Sequence, residues 1–91
     1  MYFVYILFSV KDKKLYVGYT KDLKRRYQEH LIGKNISTRN RLPVKLIYYE
    51  AYLTEQEAKR REKYLKGGNG RASIKRQLDL TLIKMGYRFM D

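Results

Sequence analysis

Three features of this sequence predict an α+β fold, a three-stranded antiparallel sheet flanked by three helices in the order β-β-α-β-α-α. The first is an apolar and aromatic run, Tyr2 to Phe8, followed after a polar turn by a second run of strand formers. The second is Gly18, where that second run gives way to a basic stretch of helical period. The third is a capping-box helix start, Thr54-Glu55-Gln56-Glu57, placed after one more extended run.

Tyr2 to Phe8 is too short for a typical core helix, and neither of its alternating faces is polar. Phe3, Tyr5 and Leu7 share one face, and Tyr2, Val4, Ile6 and Phe8 share the other, so a central strand covered on both sides is expected. Ser9 to Lys14 is a polar turn, and Leu15 to Tyr19 returns antiparallel to complete a hairpin. A helix from Thr20 to about Ile32 follows, capped by Thr20 or Asp22. Leu23, Tyr27 and Leu31 form its expected core stripe, with Arg26 and His30 one above the other on the adjacent stripe. Gly33 ends it in the left-handed conformation. Lys34 to Pro43 is a polar, basic loop, either a flexible connection or a nucleic-acid-facing one that offers Ser37, Thr38, Arg39 and Arg41 to phosphates. Val44 to Glu50 is the third strand, with Pro43 at its start, where a missing N–H does least harm. The second long helix begins after Thr54, with Leu53 and Ala58 placed for a hydrophobic staple, and stops at Gly67-Gly68. A glycine-containing turn, Gly67 to Gly70, leads to a last helix from about Arg71 to Met85, packed through Ile74, Leu78, Leu82 and Met85. One domain over residues 1–85 is expected, with 86–91 as an uninformative tail.

Charge narrows the partners. Twenty-one Lys and Arg against nine Asp and Glu give a formal net charge of +12, which implies a polyanion, nucleic acid before an acidic membrane. No apolar stretch is long enough to span a bilayer, and the apolar N-terminal run lacks the basic start and small-residue cleavage site of a signal peptide. With no cysteine, disulfides, zinc–thiolate clusters and thiol catalysis are excluded, and the cytoplasm is the expected location. Hydrophobic residues make up 44% of the chain, enough for a globular core, and ten tyrosines supply apolar area together with hydroxyls suited to polar clefts.

The strand–glycine–helix junction from Leu15 to His30 can bring a tyrosine hydroxyl, an arginine and a histidine to one cleft. Glu62 shares a helical face with Ala58 and Leu65, so its carboxylate occupies a stripe that otherwise points inward. A buried carboxylate needs a cationic partner or a metal, and either would satisfy it. Lys59, Arg60, Arg61 and Lys63 around it form a solvated basic face.

Taken together, these residues resemble the GIY-YIG nuclease domain. Phe3-Val4-Tyr5 stands in place of Gly-Ile-Tyr and Tyr16-Val17-Gly18 in place of Tyr-Ile-Gly; Arg26, His30 and then Glu62 in Arg61-Glu62-Lys63-Tyr64-Leu65-Lys66 follow in order. The resemblance covers nearly the whole chain and is strongest to small stand-alone bacterial members, related to the nuclease module of the bacterial excinuclease and to that of certain homing endonucleases. The first motif departs from the family in carrying Phe3 where the glycine stands. An asparagine frequent near the end of the domain is matched only by residue type, at Asn69.

The resemblance implies a metal-dependent phosphodiesterase acting on DNA, with a role in repair or recombination. Glu62 would be the sole protein ligand of one divalent cation, Mg²⁺ foremost and Mn²⁺ as the alternative. Arg26 would grip the scissile phosphate, and Tyr5 or Tyr16 would be the general base, Tyr5 preferred, made acidic by a positive cleft. His30 would orient or deprotonate a tyrosine, or contact phosphate. The expected DNA contacts are Lys24, Arg25, Thr38, Arg39, Arg41 and Arg71. A partner protein for targeting is compatible with so short a chain, which is expected as a monomer or homodimer. A non-catalytic DNA- or RNA-binding module of the same fold accounts equally well for charge and tyrosines, but gives no role to Glu62. A structural basic protein fits composition alone.

Overall fold

A computed structural model describes residues 1–89. Its sheet is ordered β2-β1-β3, with β1 (Tyr2–Ser9) in the centre, β2 (Leu15–Thr20) on one side and β3 (Val44–Tyr52) on the other. Both neighbours run antiparallel to β1. The two apolar faces of β1 dictate this, because a strand with no polar face must be covered twice. Val4, Ile6 and Phe8 join Leu15 and Val17 under Ala58, Leu65, Ile74 and Leu82 from three helices, α2 (Glu55–Lys66), α3 (Gly68–Gln77) and α4 (Asp79–Lys84). Tyr5 and Leu7, with Val44, face the opposite way and pack with Tyr16, Leu23, Tyr27, Leu42 and Leu46. Leu23 and Tyr27 belong to α1 (Leu23–Leu31), so α1 covers one face of the sheet and α2 to α4 the other. The α+β architecture is the expected one.

Details differ from expectation for identifiable reasons. Asp22, not Thr20, caps α1, its Oδ1 accepting the Arg25 N–H at 3.1 Å, while the buried Thr20 hydroxyl accepts the Asp22 N–H at 3.1 Å and braces the cap. The core stripe of α1 does not reach Leu31, which is 46% exposed. The inward position of the last turn is taken by His30, fully buried, and a step of one residue turns a side chain by about 100° around the helix. Gly33, at φ +80°, ends α1 as expected. The staple is absent: Ala58 turns into the core, and Leu53 is 83% exposed.

The expected glycine turn is itself the first turn of α3. A Cβ at Gly70 would overlap the carbonyl oxygen of Tyr64, so the glycine lets the backbones of α2 and α3 touch where they cross. The expected single last helix is broken at Leu78 into α3 and α4. Tyr87 packs on the core, donates its N–H to the Leu82 carbonyl and sets its ring edge-on to Phe89, so the described part of the 86–91 tail is docked; residues 90 and 91 lie outside the described residues. Among the described residues, no helix is long and apolar enough to cross a membrane.

Candidate active site

Register places Tyr5 on β1 opposite Gly18 on β2, and Leu7 opposite Tyr16. The Tyr5 ring lies across Gly18 so closely that a Cβ there would overlap its Cζ and Oη. The glycine of the Tyr-Val-Gly run is thus required by the tyrosine of the neighbouring strand. Tyr16, two residues earlier on the same face of β2, stands with its ring 6.3 Å from that of Tyr5. His30, facing inward from the last turn of α1, meets both rings edge-on at 5.6 and 5.3 Å.

His30 is held at both nitrogens. Nε2 lies 2.8 Å from Tyr5 Oη, and Nδ1 lies 2.6 Å from Thr38 Oγ1. Burial lowers the pKa of His30, and the positive charge of Arg26 lowers it further, so the imidazole is neutral at pH 7. Thr38 is itself fully buried, which removes it from the expected phosphate contacts: its hydroxyl serves His30, not solvent. The loop that carries it is ordered by its own bonds. Asn35 accepts the backbone N–H groups of Thr38 and Arg39 on its carbonyl and that of Ser37 on its side chain.

Tyr5 corrects a second expectation. Burial pushes its hydroxyl well above the ordinary tyrosine range, the neighbouring Tyr16 adds to this, and Arg26 opposes it without prevailing. A cationic cleft therefore does not make Tyr5 acidic; desolvation wins because the ring is almost entirely enclosed. Tyr16 is half-buried and is the more accessible of the two residues.

Arg26, half-buried on α1, is close enough to act on both Tyr5 and His30. Its Nε is 3.3 Å from Glu29 Oε1, and the Arg25 Nε is 3.3 Å from Glu29 Oε2, so one carboxylate steadies two guanidinium groups. Sequence reasoning missed Glu29, although its three- and four-residue spacings from these arginines could have revealed it. These three side chains, with Tyr19, Thr20, Lys21 and Asp22, line a cleft of about 510 Å³.

Glu62 stands on α2, in the layer opposite α1. Its side chain is 22% exposed, and Oε2 is 3.0 Å from the Lys66 Nζ, the cationic partner that burial demands. Its charge reaches Tyr19, whose own hydroxyl donates to Glu55 Oε2 at 2.5 Å and is pushed up to about 12, by burial first and then by Glu55. Glu62 therefore sits towards the β2 edge, near Tyr19 of the cleft, while Tyr5, Tyr16, Arg26 and His30 converge on the α1 side. Its half-buried carboxylate, with one oxygen left without a partner among the described residues, suits a hard, largely hydrated cation such as Mg²⁺. No group of three or more His, Cys, Asp or Glu side chains able to hold a metal occurs among the described residues, so any cation would rest mainly on water and phosphate oxygens.

The expected DNA contacts divide. Lys24, Arg25 and Arg39 are exposed. Arg41 is not free: its Nε donates to Asp12 Oδ2 at 2.6 Å and its Nη2 reaches the Leu15 carbonyl at 3.5 Å, tying the loop to the hairpin turn. Asp12 is held near 2 by that bond, against the upward push of burial. Arg71 lines a second cavity of about 590 Å³ with Lys14 and Lys75, at the Leu15 end of β2. Lys75, which no sequence pattern singled out, packs its ammonium 5.3 Å from the Tyr87 ring. Asn69 is exposed in the first turn of α3.

The β-β-α-β frame thus joins two tyrosines, a histidine and an arginine beside a cationic cleft. The family model for the GIY-YIG catalytic domain matches residues 1–77, and the chain belongs to that family. Its relatives include UPF0213 protein SAG0778 of Streptococcus agalactiae serotype V, 46% identical over 83 residues, which span 90% of this chain and 86% of that one. UPF0213 protein CPE1444 of Clostridium perfringens is 45% identical over 67 residues, 72% of this chain and 71% of the relative. The solution NMR structure of the UPF0213 protein BH0048 from Bacillus halodurans is 36% identical, with a TM-score of 0.51 over 81% of this chain and 82% of that one.

Proposed function

We propose that the protein is a divalent-metal-dependent endonuclease that hydrolyses phosphodiester bonds in DNA in the cytoplasm, with a role in repair or recombination. The observation that carries this reading is the convergence of Tyr5, Tyr16, His30 and Arg26 on one side of the β1–β2 hairpin, beside a cleft lined by further cations. Arg26, its Nε steadied by Glu29, offers its remaining N–H groups to the scissile phosphate. Tyr16, acting as its phenolate, takes the proton of the attacking water at its Oη and becomes the neutral phenol, while Tyr5 stays protonated. Glu62 would hold the cation, which when bound would stabilise the charge gathering on phosphorus and the leaving oxygen. The exposed cations Lys21, Lys24 and Arg25 guide the strand into the cleft. Arg71, Lys14 and Lys75 receive the backbone at the other end of β2.

The test is cleavage of supercoiled plasmid, linear duplex, single-stranded and branched DNA with Mg²⁺, with Mn²⁺ and with chelator, with Glu62→Gln run alongside. The parent is expected to cut only with metal. The variant should fold and bind DNA at least as tightly, having lost a negative charge, and should not cut. Equal cutting by both would remove Glu62 from the reaction.

A second reading, a non-cleaving nucleic-acid-binding module, is favoured by one observation. Glu62 is ion-paired to Lys66 in the layer away from the tyrosines. Binding of every substrate without cutting by the parent would establish it.

A further inference from the structure

The proton positions in the buried chain Tyr5–His30–Thr38 follow from who can donate to whom. Thr38 and His30 are both fully buried, and among the described residues the only side-chain partner of Thr38 Oγ1 is His30 Nδ1, at 2.6 Å. A hydroxyl carries one hydrogen and two lone pairs, whereas a neutral imidazole has one N–H and one bare nitrogen. If Nδ1 carried the proton, the Thr38 hydroxyl would only accept, and its own hydrogen would be left buried without an acceptor. If the hydroxyl donates to a bare Nδ1, that hydrogen is used. An unpaired donor in a site closed to water is the costlier arrangement.

We infer that Thr38 is a positioning residue: its buried hydroxyl donates to His30 Nδ1, fixes the ring as the Nε2–H tautomer, and so makes His30 a hydrogen-bond donor to Tyr5. The consequence for Tyr5 is direct. With its oxygen accepting from Nε2–H at 2.8 Å, its own hydrogen turns across the hairpin to Tyr16, the hydrogen-bond partner that helps hold the buried Tyr5 hydroxyl protonated, so no donor in the chain is left unpaired. His30 in this state cannot take the proton of Tyr5, because the nitrogen facing Tyr5 is already protonated. The hydrogen bonds therefore run in one direction, from Thr38 through His30 and Tyr5 towards Tyr16, and support negative charge on the Tyr16 oxygen. The catalytic consequence rests on the nuclease reading above; the tautomer does not.

His30 is the only histidine in the chain, so its ring nitrogens give a single set of signals. In ¹⁵N-labelled protein at pH 7.5, two-bond ¹H–¹⁵N correlation should show a protonated-type Nε2 and an unprotonated-type Nδ1. A protonated Nδ1 in the parent overturns the inference, whatever the protein does to DNA. Thr38→Val keeps the shape and removes the hydroxyl; the Nε2–H pattern should be lost or mixed with the other tautomer, and Thr38→Ser should restore it. An unchanged pattern in a folded Thr38→Val also overturns the inference. If Thr38→Val does not fold, the parent and Thr38→Ser spectra decide. Where the parent cuts DNA, Thr38→Val should lose at least tenfold in kcat with DNA affinity unchanged, and Thr38→Ser should recover most of it. A parent that shows the Nε2–H tautomer but never cuts defeats the nuclease reading and leaves the inference standing.

Discussion

Gly18 and Tyr5 form a single unit at the residue scale. The ring occupies the space a side chain at position 18 would need, and the same placement aims the Tyr5 hydroxyl at His30. Gly18→Ala must therefore displace the ring or the strand. Overpacking of this kind costs typically about 1–3 kcal/mol. Urea unfolding should show a loss of that size, and the tautomer signature of His30 should change with it, because the ring that accepts from Nε2 has moved. A variant as stable as the parent would mean that the hairpin can shift at no cost, and that the glycine serves another purpose. Departure from the family at Phe3 is tolerable on the same grounds. Phe3 sits opposite Thr20 at the end of the strand, with its ring edge-on to Tyr49 at 6.2 Å, away from the close approach that Gly18 serves.

Among the elements, the loop between α1 and β3 is the least like its expectation. It is anchored to the hairpin turn through Arg41 and Asp12, through the Ser9 hydroxyl donating to the Arg41 carbonyl at 2.6 Å, and through the Val10 N–H donating to the Pro43 carbonyl. Holding this loop down is what keeps Thr38 under His30. Asp12→Asn should cost about 1 kcal/mol at pH 7, the upper range for a partly exposed pair. The sign of the pH dependence follows from the lowered pKa. Asp12 is near 2 in the native chain and about 3.9 when unfolded, so its contribution is complete above about 4 and fades as pH falls towards 2. Chemical unfolding of parent and variant should give a gap that is constant from pH 7 to 5 and narrows below 4; a gap that persists unchanged at pH 3 would place the effect elsewhere than in this charge. The strands, the start of α2 and the junction at Gly18 were legible because each has a local cause in alternation, capping or a breaker. The roles of Thr38 and Arg41 were not. A hydroxyl or a guanidinium in a polar loop reads the same whether it faces water or a buried partner, and only tertiary contacts from α1 and the hairpin decide. The glycines at 67–70 misled in a similar way: they mark a helix crossing, and close approach leaves the same trace in a sequence as a turn. Burial of His30 instead of Leu31 depended on the rotation of α1 against the sheet, which a stripe of apolar residues fixes only to within one position.

For the whole molecule, +12 is spread over cations of unequal availability. Arg61 is committed to Glu50, which also accepts from Tyr48 and Tyr52, and Arg41 is committed to Asp12. Two groups of the remaining cations lie at the ends of the edge strand β2. Arg25, Arg26 and Lys21 line the cleft by its Thr20 end, and Lys14, Arg71 and Lys75 line the cavity by Leu15. Six residues of strand separate them by about 17 Å, a span of about five nucleotides along one strand of a duplex. Each phosphate neutralised contributes a slope of about −0.9 to log K against log salt on duplex DNA. The double variant Arg71→Ala with Lys75→Ala should therefore weaken DNA binding and flatten the slope by about two units. Arg41→Ala should leave the slope unchanged while lowering stability, because its charge is already met by Asp12. Fluorescence anisotropy between low and moderate salt separates the two variants directly. Equal slopes for the double variant and the parent would remove the Leu15 end of β2 from the DNA path. A slope reduced by Arg41→Ala would show instead that Arg41 leaves Asp12 to meet a phosphate.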